Sequence, residues 1–389
     1  MKNVVIVGGN AGGGLVASRL ERLLKEEDVN ITVLDKNGTV DFMPSYTYLA
    51  LGARTKDQVS KDFSKIASKK IKPIKAEVTD VNAAERKVKT NIGEFNYDIL
   101  VLSPGAAINE AATPGLNNVE HFWTLDRAMR MKQNLGKLKK GKIVISTASM
   151  IYRCPPAPWE MSMLLHEYFL NKGLRNDIEI TVAHPVGKPF EMFGPSISDP
   201  LTQWLNEMNI NYQPKFTVAK VDPDKKEIVS TNNETLKYDM AIVTPVHEPP
   251  EFVKKNDDLK SKVGWGSSRL RDFKNEKYDD IYAIGDLIEP TLGLGMAGVF
   301  AHFQADTAAS FIVDDITGSN LPLPYNSVAI CAMEGGSYGW FAYCDFKDKL
   351  KNPTIPFPDC TLTGRGRIYK LMHAVYERYY FATIFRGRI

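Results

Sequence analysis

The chain has 389 residues, is 43% hydrophobic and 24% charged, and carries a net charge of +3. That length holds two or three domains with a substantial core, the composition excludes a disordered chain, and the charge is too small to argue for nucleic-acid binding. No run of 18 apolar residues is present to span a bilayer, and a strand begins at Val4 with no room for a signal peptide, so a cytoplasmic protein is the expectation.

Residues 3–35 read as strand, tight turn, helix and strand. VVIVGG is a buried parallel strand entering a turn, GGGLVASRLERLLKEE has helical periodicity through Leu15, Leu20, Leu23 and Leu24, and NITVLD ends on Asp35. Gly8 and Gly13 fit the Gly-x-Gly-x-x-Gly template, while its middle position is Asn10, with Gly9 and Gly12 nearby. Asp35 follows Gly13 by 22 residues, the place of an acid that binds a ribose hydroxyl. The pattern predicts dinucleotide binding rather than a glycine turn of purely structural use.

The second half, roughly 140–250, repeats this order with KIVIST, a helix near 159–172, and IEITVAHP. Its turn has no glycine, and its second strand ends on Ala183 and His184 instead of an acid, so a second nucleotide has no evident seat. In place of the glycines stand Ser146, Ala148, Met150, Tyr152 and then Cys154 against Pro155 and Pro156. YDILVLSPGAAI (97–108) and KYDMAIVTPVHEPP (237–250) read as matching strands of the two halves. DDIYAIGD (279–286) is a strand reaching Gly285 and Asp286 ahead of a helix near 297–312. Such an acid can accept from a polyol hydroxyl, or it can simply belong to a surface turn. The four cysteines, 154, 331, 344 and 360, are too few for a secreted disulfide framework and contain no C-x-x-C pair.

GGNAGG with Asp35, LVLSPGA and YAIGD resemble the FAD-binding set of the two-dinucleotide-domain flavoprotein disulfide reductases. FMPSYTYLALGAR, CPPAPWEMSMLL, TPVHEPP and the final YKLMHAVYERYYFATIFRG resemble, along the whole chain, the sulfide:quinone oxidoreductases, relatives of the flavin subunit of flavocytochrome c sulfide dehydrogenase. The resemblance implies an α/β fold of two Rossmann-like domains, the second degenerate, with a C-terminal region bearing an amphipathic helix. Expected boundaries are 1–115 and 256–320 for the two parts of the FAD domain, 116–255 for the second domain, and 321–389 for the C-terminal region. It implies FAD held by Gly8, Gly9, Asn10, Ala11, Gly13, Asp35, Pro44, backbone near Val78, Pro104, Gly105, Gly285, Asp286 and Gly298. The family's covalent cysteine would lie near Phe42 and Met43, where none stands, which favours noncovalent FAD.

The resemblance further implies a redox pair, Cys154 and Cys331, 177 residues apart, with Cys344 and Cys360 structural. Hydrosulfide attacking a disulfide leaves a persulfide and a thiolate that can deliver an electron pair to the flavin. Thiolate is the competent species, so an electropositive site is expected, with Arg153 suggestive. Glu160 matches the family's acid, as a proton relay or as a stabiliser of its helix N-terminus. His184 is a structural histidine or a relay; His121 and His302 carry no assignment. Three departures stand out: Trp123 replaces a third cysteine, Arg127 a histidine, and Met296 a lysine near the flavin.

Residues 366–389 place Ile368, Leu371, Met372, Val375, Tyr379 and Ala382 on one helical stripe. The basic residues Arg365, Arg367, Lys370, Arg378, Arg386 and Arg388 stand against Glu377 alone. This suits a helix lying on an anionic membrane surface, or one packed on the domain or on another subunit. Tyr338, Trp340 and Phe341 follow Cys331 and could sandwich a quinone or fill a core. The expected partners are hydrogen sulfide, a membrane quinone and the cell membrane, with no nucleic acid; homo-oligomerisation is left open. Rival readings keep the flavin but donate to a cytochrome c, oxidise NADH as a type II dehydrogenase, or serve as a flavin sensor without turnover.

Overall fold

The computed structural model describes residues 1–288, 296–320 and 322–386, with the side chains of Thr363 and Arg386 excepted. Two parallel sheets organise the chain. In the first, strands Lys2–Val7, Val29–Asp35, Ile71–Lys75 and Ile99–Leu102 are joined by Ile281–Ala283, in the order 281, 99, 2, 29, 71. In the second, Gly141–Thr147, Ile178–His184, Ile210–Pro214 and Met240–Thr244 take the order 210, 178, 141, 240. The central strands are continuous apolar runs because helices cover both faces of a parallel sheet: Val4–Val7 and Ile143–Ile145 are all buried.

The two halves are topological copies. Each follows its third parallel strand with a three-stranded antiparallel meander, Val78–Asn96 in the first and Val218–Lys237 in the second, before the chain returns to the sheet. Ala107–Asn109 and Val246–Glu248, the exits of the two copies, pair antiparallel with each other and tie the halves together. The helices after the first strands also correspond: Ala11–Leu23 and Ala157–Asn171.

An antiparallel sheet of Val328–Glu334, Gly339–Asp345 and Asp359–Gly366 leads into the final helix, Arg367–Arg386. That helix returns to the first half. Ser18 Oγ donates to the carbonyl of Thr383 at 2.7 Å, and Tyr380 donates to that of Asp41 at 3.1 Å. Cys344 and Cys360 lie directly opposite on two of these strands and form a disulfide. Of the expected tail segment, Arg388 lies outside the described residues. Among the described residues no helix is long and apolar enough to cross a membrane.

Candidate active site

The first turn is shaped by its glycines. Gly8 has φ +96°, and a Cβ there would run into the carbonyl of Ser103 and lie 3.1 Å from Pro104 Cα. A Cβ on Gly13 would overlap the carbonyl of Gly8. Only glycine permits this close approach of helix and strands. Asn10, ahead of the helix starting at Ala11, makes no side-chain cap; its Oδ1 instead accepts from the Asp41 amide at 2.6 Å. The first amides of the helix thus have no side-chain cap and can receive an anion. Asp35 accepts from the Gly9 amide at 3.1 Å, so its carboxylate adjoins the glycine turn. Asp286 is half-buried, and its desolvation raises its pKa against the lowering by Arg153. These features fit a dinucleotide with its pyrophosphate on Gly8–Gly13. Gly105 has φ +71°, Gly285 has φ +76°, and Val78 opens the meander of this half.

The corresponding turn of the second half carries Cys154. Its φ of +54° lies in the left-handed region that favours glycine. The Cys154 amide donates to the Met296 carbonyl at 2.6 Å, and the Cys154 carbonyl accepts from Ala157 at 2.9 Å. Pro155 and Pro156 then deliver the chain into the Ala157–Asn171 helix. Beneath this turn, the Tyr152 hydroxyl donates to the Pro155 carbonyl at 3.1 Å and meets His184 Nε2 at 2.9 Å. The Val186 amide donates to His184 Nδ1 at 3.4 Å, so Nε2 holds the proton of the neutral ring. Burial pushes His184 down to about 3, and its hydrogen bonds fit the structural reading.

Cys154 and Cys331 are both free thiols and line one cavity of about 680 Å³. Pro44, Glu160, Gly298, Phe341 and Met296 share its wall, as do His302, His373, Tyr376 and Tyr379. Cys331 reaches it from the Val328–Glu334 strand. The two quinone-wall companions proposed for Phe341 lie elsewhere. Successive strand residues point to opposite faces; Trp340 is buried against Trp204 at 5.2 Å, and Tyr338 carries Arg365 over its ring at 4.9 Å.

The expected electropositive thiol site is also corrected. Burial, Glu160 and Asp286 push Cys154 up to about 12, outweighing Arg153. Cys331 is pushed up by burial, Cys154 and Glu160. Arg153 does turn inward, donating to the Trp123 carbonyl with its guanidinium 5.9 Å from that indole. Arg127 sits away from the cavity, bonded to Glu110 at 3.0 Å. Glu160, buried, accepts from the Glu334 amide at 3.1 Å and from Tyr48 at 3.4 Å, and burial raises it to about 8.

Sequence reading passed over Tyr48, Glu334 and His373. An acid closing the otherwise apolar run VAICAME was the available signal for Glu334. His373 Nε2 lies 3.2 Å from Ser45 Oγ, which donates to Glu377 at 2.6 Å; Arg54 pairs with that carboxylate at 3.2 Å. The hydroxyl's one proton is committed to Glu377, so His373 donates through Nε2. Burial pushes His373 down to about 4.

Comparisons with known proteins bear on the family and the fold. The family described as "Pyridine nucleotide-disulphide oxidoreductase" matches residues 2–305. The sulfide-quinone reductase of Aquifex aeolicus is 25% identical over 409 aligned positions, covering 100% of this chain and 92% of the relative. The mitochondrial sulfide:quinone oxidoreductase of Dictyostelium discoideum is 26% identical, covering 92% and 81%. The solved structure of the Aquifex aeolicus sulfide:quinone oxidoreductase superposes with a TM-score of 0.88 at 22% identity, covering 100% of this chain and 92% of that one.

Proposed function

Because the chain belongs to the pyridine nucleotide-disulphide oxidoreductase family, we propose that this oxidoreductase takes electrons from hydrogen sulfide, forms polysulfide or sulfur, and reduces a membrane quinone. One observation carries the reading: two free cysteines, 177 residues apart in sequence, line one cavity with Glu160. The family implies a flavin, and the turn at Gly8–Gly13 with Asp35 and Asp286 would hold FAD noncovalently. When bound, FAD accepts an electron pair and passes it to the second substrate.

In the oxidised enzyme Cys154 and Cys331 are joined. Hydrosulfide attacks one sulfur, the S–S bond breaks, and a persulfide and a thiolate result. A second hydrosulfide removes the outer sulfur of the persulfide as a disulfide ion and leaves the dithiol; loss of two electrons restores the Cys154–Cys331 bond. Burial and the neighbouring carboxyls destabilise a thiolate at Cys154, which favours surrender of its electron pair. Glu160, when ionised, takes the proton that the sulfur species releases. The apolar cavity suits a quinone ring better than a protein surface contact, which favours quinone over cytochrome.

The final helix supports a membrane location. Ile368, Leu371 and Val375 are 68%, 65% and 65% exposed, while His373, Tyr380, Thr383 and Ile384 on the same helix are buried in the molecule. The helix therefore packs on the protein along one face and offers an apolar ridge on the other. Tyr379 and Met372 join the cavity wall, so a lipid-soluble acceptor arriving along this ridge would meet the cavity mouth. Turnover of sulfide with a soluble quinone analogue, and none with cytochrome c, tests the acceptor.

A further inference from the structure

Glu334 stands three residues beyond Cys331 on the same strand and is 6% exposed, against 7% for Glu160 and 5% for Tyr48. Two acids and a phenol are thus buried together. The Tyr48 hydroxyl lies 3.4 Å from Glu160 Oε1, and the Glu334 carboxyl is near enough that it and the phenol each shift the other's pKa. The Glu334 amide donates to that same Glu160 oxygen at 3.1 Å. Glu160 lines the cavity with both cysteines; Glu334 does not, and faces Lys370 and Arg54 instead. Lys370 reaches back to the Gly336 carbonyl at 2.7 Å from the exposed side of the final helix.

A phenol carries one proton and can donate to only one carboxylate at a time. With both acids ionised, one would present its charge to the phenol's lone pairs, and two like charges would lie buried side by side. With one proton shared between the acids, the protonated carboxyl can donate to the phenol oxygen while the phenol donates to the ionised one. We propose that Glu160 and Glu334 form a proton-carrying pair joined through the Tyr48 hydroxyl, in which Glu334 is the outer group that receives the proton of Glu160. As Glu160 gives its proton to the Tyr48 oxygen, Tyr48 passes its own to Glu334; only O–H bonds change and nothing is oxidised or reduced. Glu334 then exchanges with solvent beside Lys370. The catalytic use of this path rests on the sulfide reading above.

The groups that face the pair are few. Glu160 meets Tyr48, Glu334, Cys154 and Cys331. The Tyr48 ring is flanked by His373 at 4.6 Å and by Arg54 at 5.7 Å. Burial raises both carboxyls, and each raises Tyr48 in turn.

Infrared titration of the flavin-loaded protein tests the pair without any substrate. Wild type should show a buried carboxyl ionising near pH 8 that is missing from Glu160→Gln. Glu334→Gln removes a like charge and should lower that midpoint by about one pH unit. Tyr48→Phe removes a hydrogen bond to the carboxylate and should raise it. Glu334→Asp should restore the wild-type position. The acidic limb of sulfide-driven flavin bleaching should move with these midpoints, and Tyr48→Phe should slow bleaching about tenfold. A midpoint unmoved in both Glu334→Gln and Tyr48→Phe overturns the pair. Midpoints that shift while the bleaching limb stays fixed overturn the relay. A wild type that sulfide cannot bleach defeats the sulfide reading, while the titration still decides the pair.

Discussion

Cys154 sits in left-handed backbone with its thiol pushed up to about 12, so a thiolate there is costly until its charge is spent. Cys154→Ser and Cys331→Ser should each abolish bleaching by sulfide while leaving flavin content intact; activity retained in either variant would dismiss the disulfide mechanism. Gly13→Ala drives a methyl into the Gly8 carbonyl and should cut the flavin content of the purified protein at least tenfold. Glu160 makes a prediction on stability. Its folded pKa of about 8 exceeds the ordinary 4.5, so the folded state binds the extra proton and stability falls as pH rises between those values. Thermal melts of wild type should therefore weaken between about pH 5 and pH 8, and Glu160→Gln should lose that component. Identical pH dependence in the two proteins would show that Glu160 is not raised.

The final helix has two jobs along one length. Its apolar stripe, read from sequence as a single face, divides: Ile368, Leu371 and Val375 are exposed, whereas Met372 and Tyr379 join the cavity wall. Removing the helix would also strip Tyr380 and Ile384 from the core, so point changes are the cleaner probe. Leu371→Glu with Val375→Glu should reduce cosedimentation with anionic vesicles severalfold and leave folding and flavin unchanged. Equal cosedimentation would assign the ridge to a protein partner. The antiparallel sheet before it is stapled by Cys344–Cys360, 16 residues apart. A cross-link of that span contributes about 3 kcal/mol. Cys344→Ser with Cys360→Ser should lower the unfolding midpoint, and an unchanged midpoint would show that strand pairing alone holds this region.

Across the whole molecule, the repeated strand–helix–strand order was legible because buried parallel strands and amphipathic helices each leave their own period in the sequence. The same comparison of halves exposed the missing glycines around Cys154. What sequence could not reveal was register. The Cys344–Cys360 bond depends on which residues of two strands stand opposite, and the separation of Trp340 from Phe341 depends on which face each takes. Charge was misjudged for a related reason: Arg153 is next to Cys154 in the chain, but Glu160 and Asp286 arrive through folding. Tyr48 and Glu334 lie 286 residues apart and meet only in the folded site.

On the proposed reading, this fold draws electrons from sulfide through two cysteines instead of from a nicotinamide on a glycine turn. Anaerobic titration of the purified flavin-loaded protein with sulfide, beside a parallel titration with NADH, decides between the two. Bleaching by sulfide and none by NADH is the predicted result; bleaching by NADH with a flavin that sulfide leaves oxidised would contradict it.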